Sequence, residues 1–319
     1  MSLLSKFQTY LEENNSHASV RGYLSDIKVF LNWFETTKGS ELTEARLKRE
    51  PHILNKAVIE AFIKSLHNEK KALTTINRYT ASLRVFGTFL ANTQLVPVNP
   101  AGKVTIKKLP LPAPRGLSDD ERYKLEYVFR DAWERQNNKS ERTRQLVLAP
   151  KLIVRDRAIF LTLLYTGVRV SELVALDVED VEVHPRSGKL LVRVGKGGQP
   201  REVGLPKQVR EALSEWLKLR KVFAVKDHAL FVDIKRAFTR LTNRTIQNNL
   251  AEASERSGVQ VTPHILRHTN AYMLRRNGIQ PEVRARLMGH SIEMALRYGS
   301  PKEEELNKAV QSLDGETSF

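Results

Sequence analysis

Apolar residues recur at helical spacing through the first hundred positions. Leu3, Leu4, Phe7 and Leu11 form one stripe, and Val20, Tyr23, Leu24, Ile27, Leu31 and Phe34 form a longer one. Val58, Phe62, Ile63 and Leu66 give a third, and Ile76, Tyr79, Leu83, Phe86 and Leu90 a fourth. A repeat of three to four residues places each set on one helix face. Four amphipathic helices with short polar connections predict a helical bundle over residues 1–108. Arg21, Lys28, Lys70, Lys71, Arg78 and Arg84 fall between the apolar positions and are expected to point outward, as solvated faces or as contacts to a polyanion.

The pattern breaks after Val96. Pro97, Pro100, Pro110, Pro112 and Pro114 block helix and stiffen an extended path, with Lys107 and Lys108 among them. Residues 109–117 are read as a linker and residues 118–319 as a second domain. Ser118 followed by Asp119, Asp120 and Glu121 marks a helix start, running to about Arg135. The wholly polar residues 134–145 predict an exposed loop, and Asp156–Tyr165 an apolar helix ending at Gly167. Val181–His184, Lys189–Val194 and Arg201–Leu205 alternate enough to be strands, with Arg186-Ser187-Gly188 and Gly195-Lys196-Gly197-Gly198 as the turns between them. Everything after Pro206 reads as helix. The fold class is mainly α with a small antiparallel β-sheet.

Charge narrows the partner. Lys and Arg number 52 against 36 Asp and Glu, a formal net charge of +16, and both halves of the chain share the excess. A basic surface on each half suits a protein that grips a polyanion, with nucleic acid as the first candidate. The absence of cysteine excludes disulfides, thiolate zinc sites and cysteine nucleophiles. No leader pattern is present and no apolar run approaches the ~18 residues of a membrane span, so a cytoplasmic chain with no membrane partner is expected.

The chemistry-bearing residues come in a fixed order: Arg169, Lys196, His264, Arg267, His290 and Tyr298. Thr262-Pro263 reads as an N-cap with proline at the first helical position, which puts His264 and Arg267 three apart on one face of an opening turn. Ser171 could cap a short helix over Glu172–Leu176 just after Arg169, and Ser291 could cap the last helix just after His290. Helix N-termini favour anions, so a phosphate is the natural guest. Taken singly, each arginine could be a surface ion-pair partner and Lys196 an ordinary hairpin lysine. His264 and His268 have the spacing of helical zinc ligands, but no glutamate lies between them to act as base and no cysteine is available. Tyr298 needs neighbouring cations to act, because a phenol ionises only near pH ~10.

As an ordered set, Thr166-Gly167-x-Arg169-x-x-Glu172-Leu173, Gly195-Lys196-Gly197-Gly198, Pro263-His264-x-Leu266-Arg267-His268, Leu287-Met288-Gly289-His290 and Tyr298 resemble the tyrosine recombinases: phage integrases, Xer-type resolvases and related transposon enzymes. The likeness is strong over residues 156–300 and weaker over the N-terminal bundle. It implies a core-binding helical domain and a catalytic domain forming a clamp on DNA, and a site-specific recombinase that works through a 3′-phosphotyrosyl intermediate without metal or other cofactor. In that scheme Tyr298 attacks, Arg169 and Arg267 hold the nonbridging oxygens, and Lys196 protonates the 5′-oxygen. His264 serves as acid and base, His290 donates or accepts a stabilising hydrogen bond, and Glu172 orients a neighbouring cation. The resemblance further implies a homotetramer on two double-stranded recombination sites, a tail after Tyr298 (Lys308, Ala309, Val310 and Leu313 among its contacts) that docks on a neighbouring subunit, accessory DNA-bending proteins and a nucleoid location. Tyr298 stands eight residues after His290 where the family usually has nine; one residue is ~100° on a helix, so the loop Ser291–Glu293 is expected to compensate. A type IB topoisomerase-like or telomere-resolving enzyme, and a non-enzymatic DNA-binding regulator on the same scaffold, remain the other readings.

Overall fold

Phe7, Phe30, Phe34, Phe62 and Phe86 lose essentially all contact with solvent, and the N-terminal elements form around them. The computed structural model describes residues 2–14, 17–106, 115–137, 149–193, 200–223, 225 and 227–296. The chain divides into two compact units, Met1–Leu111 and Pro112–Phe319.

The first unit contains α1 (Leu3–Asn14), α2 (His17–Lys38), α3 (Glu44–Arg49), α4 (Lys56–Asn68) and α5 (Leu73–Asn92). The four expected stripes occupy α1, α2, α4 and α5. Edge-on ring contacts join them, Phe7 to Phe86 at 5.0 Å and Phe30 to Phe62 at 5.2 Å between centroids. The sequence reading missed α3 and the single 3₁₀ turn Pro51–Ile53 that follows it. Thr43 caps α3 through its side chain, and Leu47 is its one buried residue, too little to register as a periodic stripe.

Arg78 is exposed as expected but is paired with a buried group, and Arg84 departs from the outward placement expected of it. Arg78 donates from Nη1 to Asp26, a carboxylate buried on α2 that also accepts from Ser82 Oγ at 2.7 Å. Arg84 is half-buried and donates from Nη2 to the Val104 carbonyl. A buried carboxylate is costly unless paired and hydrogen-bonded, so the Asp26 cluster ties α2 to α5. Arg21, Lys28, Lys70 and Lys71 are exposed as expected; Lys107 and Lys108 lie outside the described residues.

In the second unit the apolar helix α7 (Ala149–Thr166) packs against α6 (Asp119–Asn137), α9 (Lys207–Val222) and α11 (Pro263–Arg276). Ala158, Ile159, Phe160, Leu163 and Leu164 of α7 are all buried. Helix α6 continues through residue 137, so residues 134–137 are helical and not loop; the remainder of the polar segment 134–145 lies outside the described residues. Three strands, β1 (Val181–Val183), β2 (Gly188–Val192) and β3 (Arg201–Gly204), form an antiparallel sheet in that order. Its register sets Leu190 against Val181 and Val203, and Val192 against Arg201. Leu190, Val192 and Val203 are buried, while Glu182 and Glu202 face out.

The run after Pro206 is not all helical. β4 (Val232–Asp233) and β5 (Thr239–Arg240) form a second, two-stranded ladder. Trp216 of α9 is buried beside it and donates from Nε1 to the Leu230 carbonyl at 2.8 Å. The helices α8 (Val170–Ala175), α10 (Asn243–Ser257), α12 (Pro281–Met288) and α13 (Ile292–Leu296) complete the described part of the unit. Residues 116 and 117, read as linker, are built onto α11: the Leu117 N–H donates to Thr269 Oγ1 at 2.9 Å, and a β-carbon on Gly116 would meet the Tyr272 ring at 2.5 Å.

Candidate active site

The last carbonyls of a helix find no donor within it and must be satisfied from outside. Three consecutive carbonyls at the end of α12 each accept an arginine. Leu287 O accepts from Arg201 Nε at 3.0 Å, Met288 O from Arg267 Nη2 at 2.5 Å, and Gly289 O from Arg169 Nη2 at 2.7 Å. The partial negative charge of a helix C-terminus favours cations at this position. Carbonyl partners also leave the formal charge of each guanidinium intact. The result is a concentration of positive charge drawn from three separate segments of the chain.

Gly289 makes the turn possible. Its φ of +62° is left-handed, the conformation in which glycine ends helices without side-chain strain. His290 follows, with its N–H bonded to the Ala285 carbonyl at 3.1 Å. The His290 ring is half-buried, and Nδ1 donates to the Ser291 carbonyl at 3.0 Å. Burial pushes the imidazole below its ordinary value, and the charges of Arg267 and Arg169 act in the same direction. The neutral ring with its proton on Nδ1 therefore presents Nε2 as its acceptor.

The short helix α8 places Arg169. Arg169 is itself the N-cap, in extended conformation, and not Ser171 as the sequence suggested. Glu172 reaches back so that Oε2 accepts from the Arg169 N–H at 2.8 Å, while Oε1 accepts from Arg169 Nη1 at 2.7 Å. The Glu172 side chain is only 2% exposed. Burial alone would raise its pKa, yet hydrogen bonds from Arg201 and from the Arg169 backbone bring it below the ordinary carboxylate value.

Helix α11 supplies Arg267 and the histidines. Thr262 caps it by accepting from the Ile265 N–H at 3.2 Å, and Pro263 takes the first position, as the sequence indicated. Arg267 is buried, with Nη1 donating to the Gly167 carbonyl at 2.5 Å. His264 instead is exposed, its ring 6.4 Å from that of His268 and nearly parallel to it. The shared face expected for His264 and Arg267 thus divides between solvent and the interior.

Arg169, Glu172, Arg267 and His290 accordingly converge on the end of α12. Lys196 and Tyr298 lie outside the described residues. The Ser291–Glu293 loop expected to absorb the short spacing to Tyr298 is helical from Ile292: Ser291 Oγ accepts from the Met294 N–H at 3.3 Å and caps α13. Sequence reasoning missed Arg201 and Asn270. Asn270 Nδ2 donates to the Leu164 carbonyl at 3.0 Å, beside the Gly167 turn. The signal for Arg201 was an arginine amid the alternating apolar positions of a strand. Among the described residues no group of three or more His, Cys, Asp or Glu is disposed to hold a metal ion, and no helix is long and apolar enough to cross a membrane.

Comparison with known proteins gives the family of the chain. Residues 138–305 match the phage integrase family, and residues 4–94 match its N-terminal SAM-like domain. The chain is 28% identical over 293 residues to the tyrosine recombinase XerC of Thermodesulfovibrio yellowstonii, covering 88% of this chain and 84% of the relative. Identity to the tyrosine recombinase XerC of Vibrio vulnificus is 30% over 292 residues, covering 90% and 82% respectively. The fold is that of the XerH site-specific recombinase in its pre-cleavage complex with difH substrate, at a TM-score of 0.67 and 20% identity, with 95% of this chain and 83% of that one covered. A family match over more than half the chain, lying across the converging arginines, settles membership: the protein belongs to the phage integrase family of tyrosine recombinases and is a site-specific DNA recombinase.

Proposed function

We propose that the protein cleaves and rejoins duplex DNA through a 3′-phosphotyrosyl intermediate formed on Tyr298. The phenolic oxygen displaces the 5′-oxygen of the scissile phosphodiester, and a free 5′-hydroxyl departs. The reverse attack by the 5′-hydroxyl of a partner strand releases the tyrosine. One phosphodiester replaces another at each step, so no high-energy cofactor is required.

The observation that carries this reading is that the Gly289 and Met288 carbonyls at the end of α12 accept hydrogen bonds from Arg169 and Arg267 respectively. Two guanidinium groups held on adjacent peptide units suit the two nonbridging oxygens, whose negative charge grows as the phosphorus becomes five-coordinate. Loss of one comparable oxyanion contact costs about 10²- to 10³-fold in rate. His290, its ring held by Nδ1 on the Ser291 carbonyl, acts as a hydrogen-bonding stabiliser at the same phosphate, donating from Nε2 once the phosphate's negative charge draws a proton onto the ring. His264 acts as acid and base, and Lys196 delivers the proton to the leaving 5′-oxygen.

The substrate is double-stranded DNA carrying recombination sites, and the complex of the XerH relative with its difH substrate supports a site of that kind. The active assembly is a homotetramer on two such sites, with accessory DNA-bending proteins where the task requires them. Covalent capture on a nicked duplex tests the reading. Tyr298→Phe is expected to bind that duplex as wild type does and to give no denaturation-resistant adduct; an adduct in that variant would overturn the nucleophile assignment.

A further inference from the structure

Arg201 has no part in the chemistry described so far, yet its guanidinium makes three hydrogen bonds within the site. Its side chain is 9% exposed. Nη2 and Nη1 donate to the two carboxylate oxygens of Glu172 at 2.7 and 3.1 Å, and Nε donates to the Leu287 carbonyl at 3.0 Å. The fork matches a carboxylate in the paired geometry that arginine favours. Strand β3 is thereby fastened to the first turn of α8 and to the end of α12.

The charge balance explains why such a contact belongs here. Glu172 is buried and also touches Arg169 Nη1 at 2.7 Å. With Arg169 as its sole cationic partner, the carboxylate would cancel the charge of the group that faces the phosphate. With Arg201 occupying both oxygens, one carboxylate is shared by two guanidinium groups and a net positive charge survives. We propose that Arg201 is a positioning residue for DNA cleavage, the counter-ion of Glu172 that keeps Arg169 cationic in effect and holds the Leu287–His290 turn in place. The inference rests on the role given above to Arg169 at the scissile phosphate.

A double-mutant cycle over Arg201→Met and Glu172→Gln tests it, read as single-turnover cleavage of a nicked duplex by the full-length protein, with DNA affinity measured alongside. Arg201→Met is expected to slow cleavage by about 10²-fold, the range of a lost oxyanion contact, with affinity for DNA changed far less. In the Glu172→Gln background the carboxylate is gone, and the same Arg201→Met step is expected to cost less than about tenfold; residues in one ionic network couple in this way. Arg201→Lys, which keeps the charge, should cleave faster than Arg201→Met. A methylphosphonate at the scissile position supplies a second readout. Neutralising the phosphate removes the demand for Arg169, so the gap between Arg201→Met and wild type should narrow.

An equal cost of Arg201→Met in both backgrounds, or an unchanged gap on methylphosphonate DNA, would overturn the proposal and leave Arg201 a packing residue. Should Arg201→Met alone fail to fold, the comparison of Arg201→Lys with wild type on the two DNAs decides in the same manner. Arg169→Ala, assayed in parallel, separates the two levels. If it cleaves at the wild-type rate, the phosphate role of Arg169 fails; if it is slow while Arg201→Met is fast, only the inference about Arg201 fails.

Discussion

Asn270 Oδ1 stands 2.6 Å from the position that a β-carbon on Gly167 would occupy. Gly167 has a φ of +65°, and its carbonyl accepts Arg267 Nη1. The same asparagine donates from Nδ2 to the Leu164 carbonyl. Helix α11 thus grips the end of α7 at two points, through Asn270 and through Arg267 one turn earlier. Gly167→Ala is expected to cost about 1–3 kcal/mol from left-handed strain alone, with the Asn270 clash added. In an Asn270→Ala background the clash is absent, so the same substitution should cost less there. Urea-unfolding midpoints of the four proteins check this; equal costs in the two backgrounds would remove Asn270 from the account.

Arg78 allows a different separation, between folding and DNA contact. Its position between apolar residues made it a candidate DNA contact, but it is bonded to buried Asp26 and lies 4.9 Å from the centroid of the Tyr79 ring. Removing the partner of a buried charge leaves an uncompensated carboxylate, a cost of about 1–3 kcal/mol for an unsatisfied buried group and more where charge is involved. Arg78→Ala should therefore lower the melting temperature. A direct phosphate contact would instead reduce the slope of log affinity against log salt by about one. An unchanged slope with a lowered melting temperature assigns Arg78 to the fold; the opposite pattern returns it to the DNA surface.

These particulars mark where sequence was sufficient. Long apolar stripes such as Ile76–Leu90 gave their helices because period alone specifies the buried face. Thr262 and Ser291 were legible as caps because a cap is a local contact, three residues in span. Helix α3 and the strands β4 and β5 were not, since a six-residue helix and two-residue strands carry no period. The largest omission was the α12 terminus. That Arg169, Arg201 and Arg267 meet on carbonyls of Leu287, Met288 and Gly289 depends on tertiary placement, and a carbonyl leaves no trace in the identity of its residue. The pairing of Arg78 went unread for the related reason that its partner, Asp26, is 52 residues away.

The depressed pKa of His290 fixes a pH window. Unfolded chains take up this proton near the ordinary value of 6.5, whereas the folded chain resists it until lower pH because of burial and the nearby Arg267 and Arg169 charges. Between those values the unfolded state binds more protons, so stability rises with pH. The contribution of His290 is complete above 6.5 and lost as pH falls through the window below it. Glu172, held below its ordinary 4.5, loses its contribution only on further acidification. Unfolding midpoints measured between pH 7.5 and 5.5 should fall more for wild type than for His290→Gln. Parallel declines would show that His290 does not titrate differently on folding.

Gly289 brings backbone strain and site geometry into competition. A β-carbon here would lie 2.7 Å from Arg201 Nη1 and 2.8 Å from Cζ. A flexible arginine would ordinarily swing aside, but this one is pinned by Glu172 and the Leu287 carbonyl. Asparagine tolerates the left-handed conformation better than alanine does, yet both bring the same β-carbon against Arg201. Gly289→Asn should therefore be the more stable variant, by a fraction of the roughly 1–2 kcal/mol that left-handed backbone costs an ordinary residue. Cleavage, in contrast, should fall in both by a similar factor, because each displaces Arg201 and with it the Glu172–Arg169 pair. Thermal melting and single-turnover cleavage measured on the two variants distinguish the causes. If the asparagine variant recovers rate in proportion to its stability, strain alone governs the position; if it recovers stability without rate, the contact with Arg201 does.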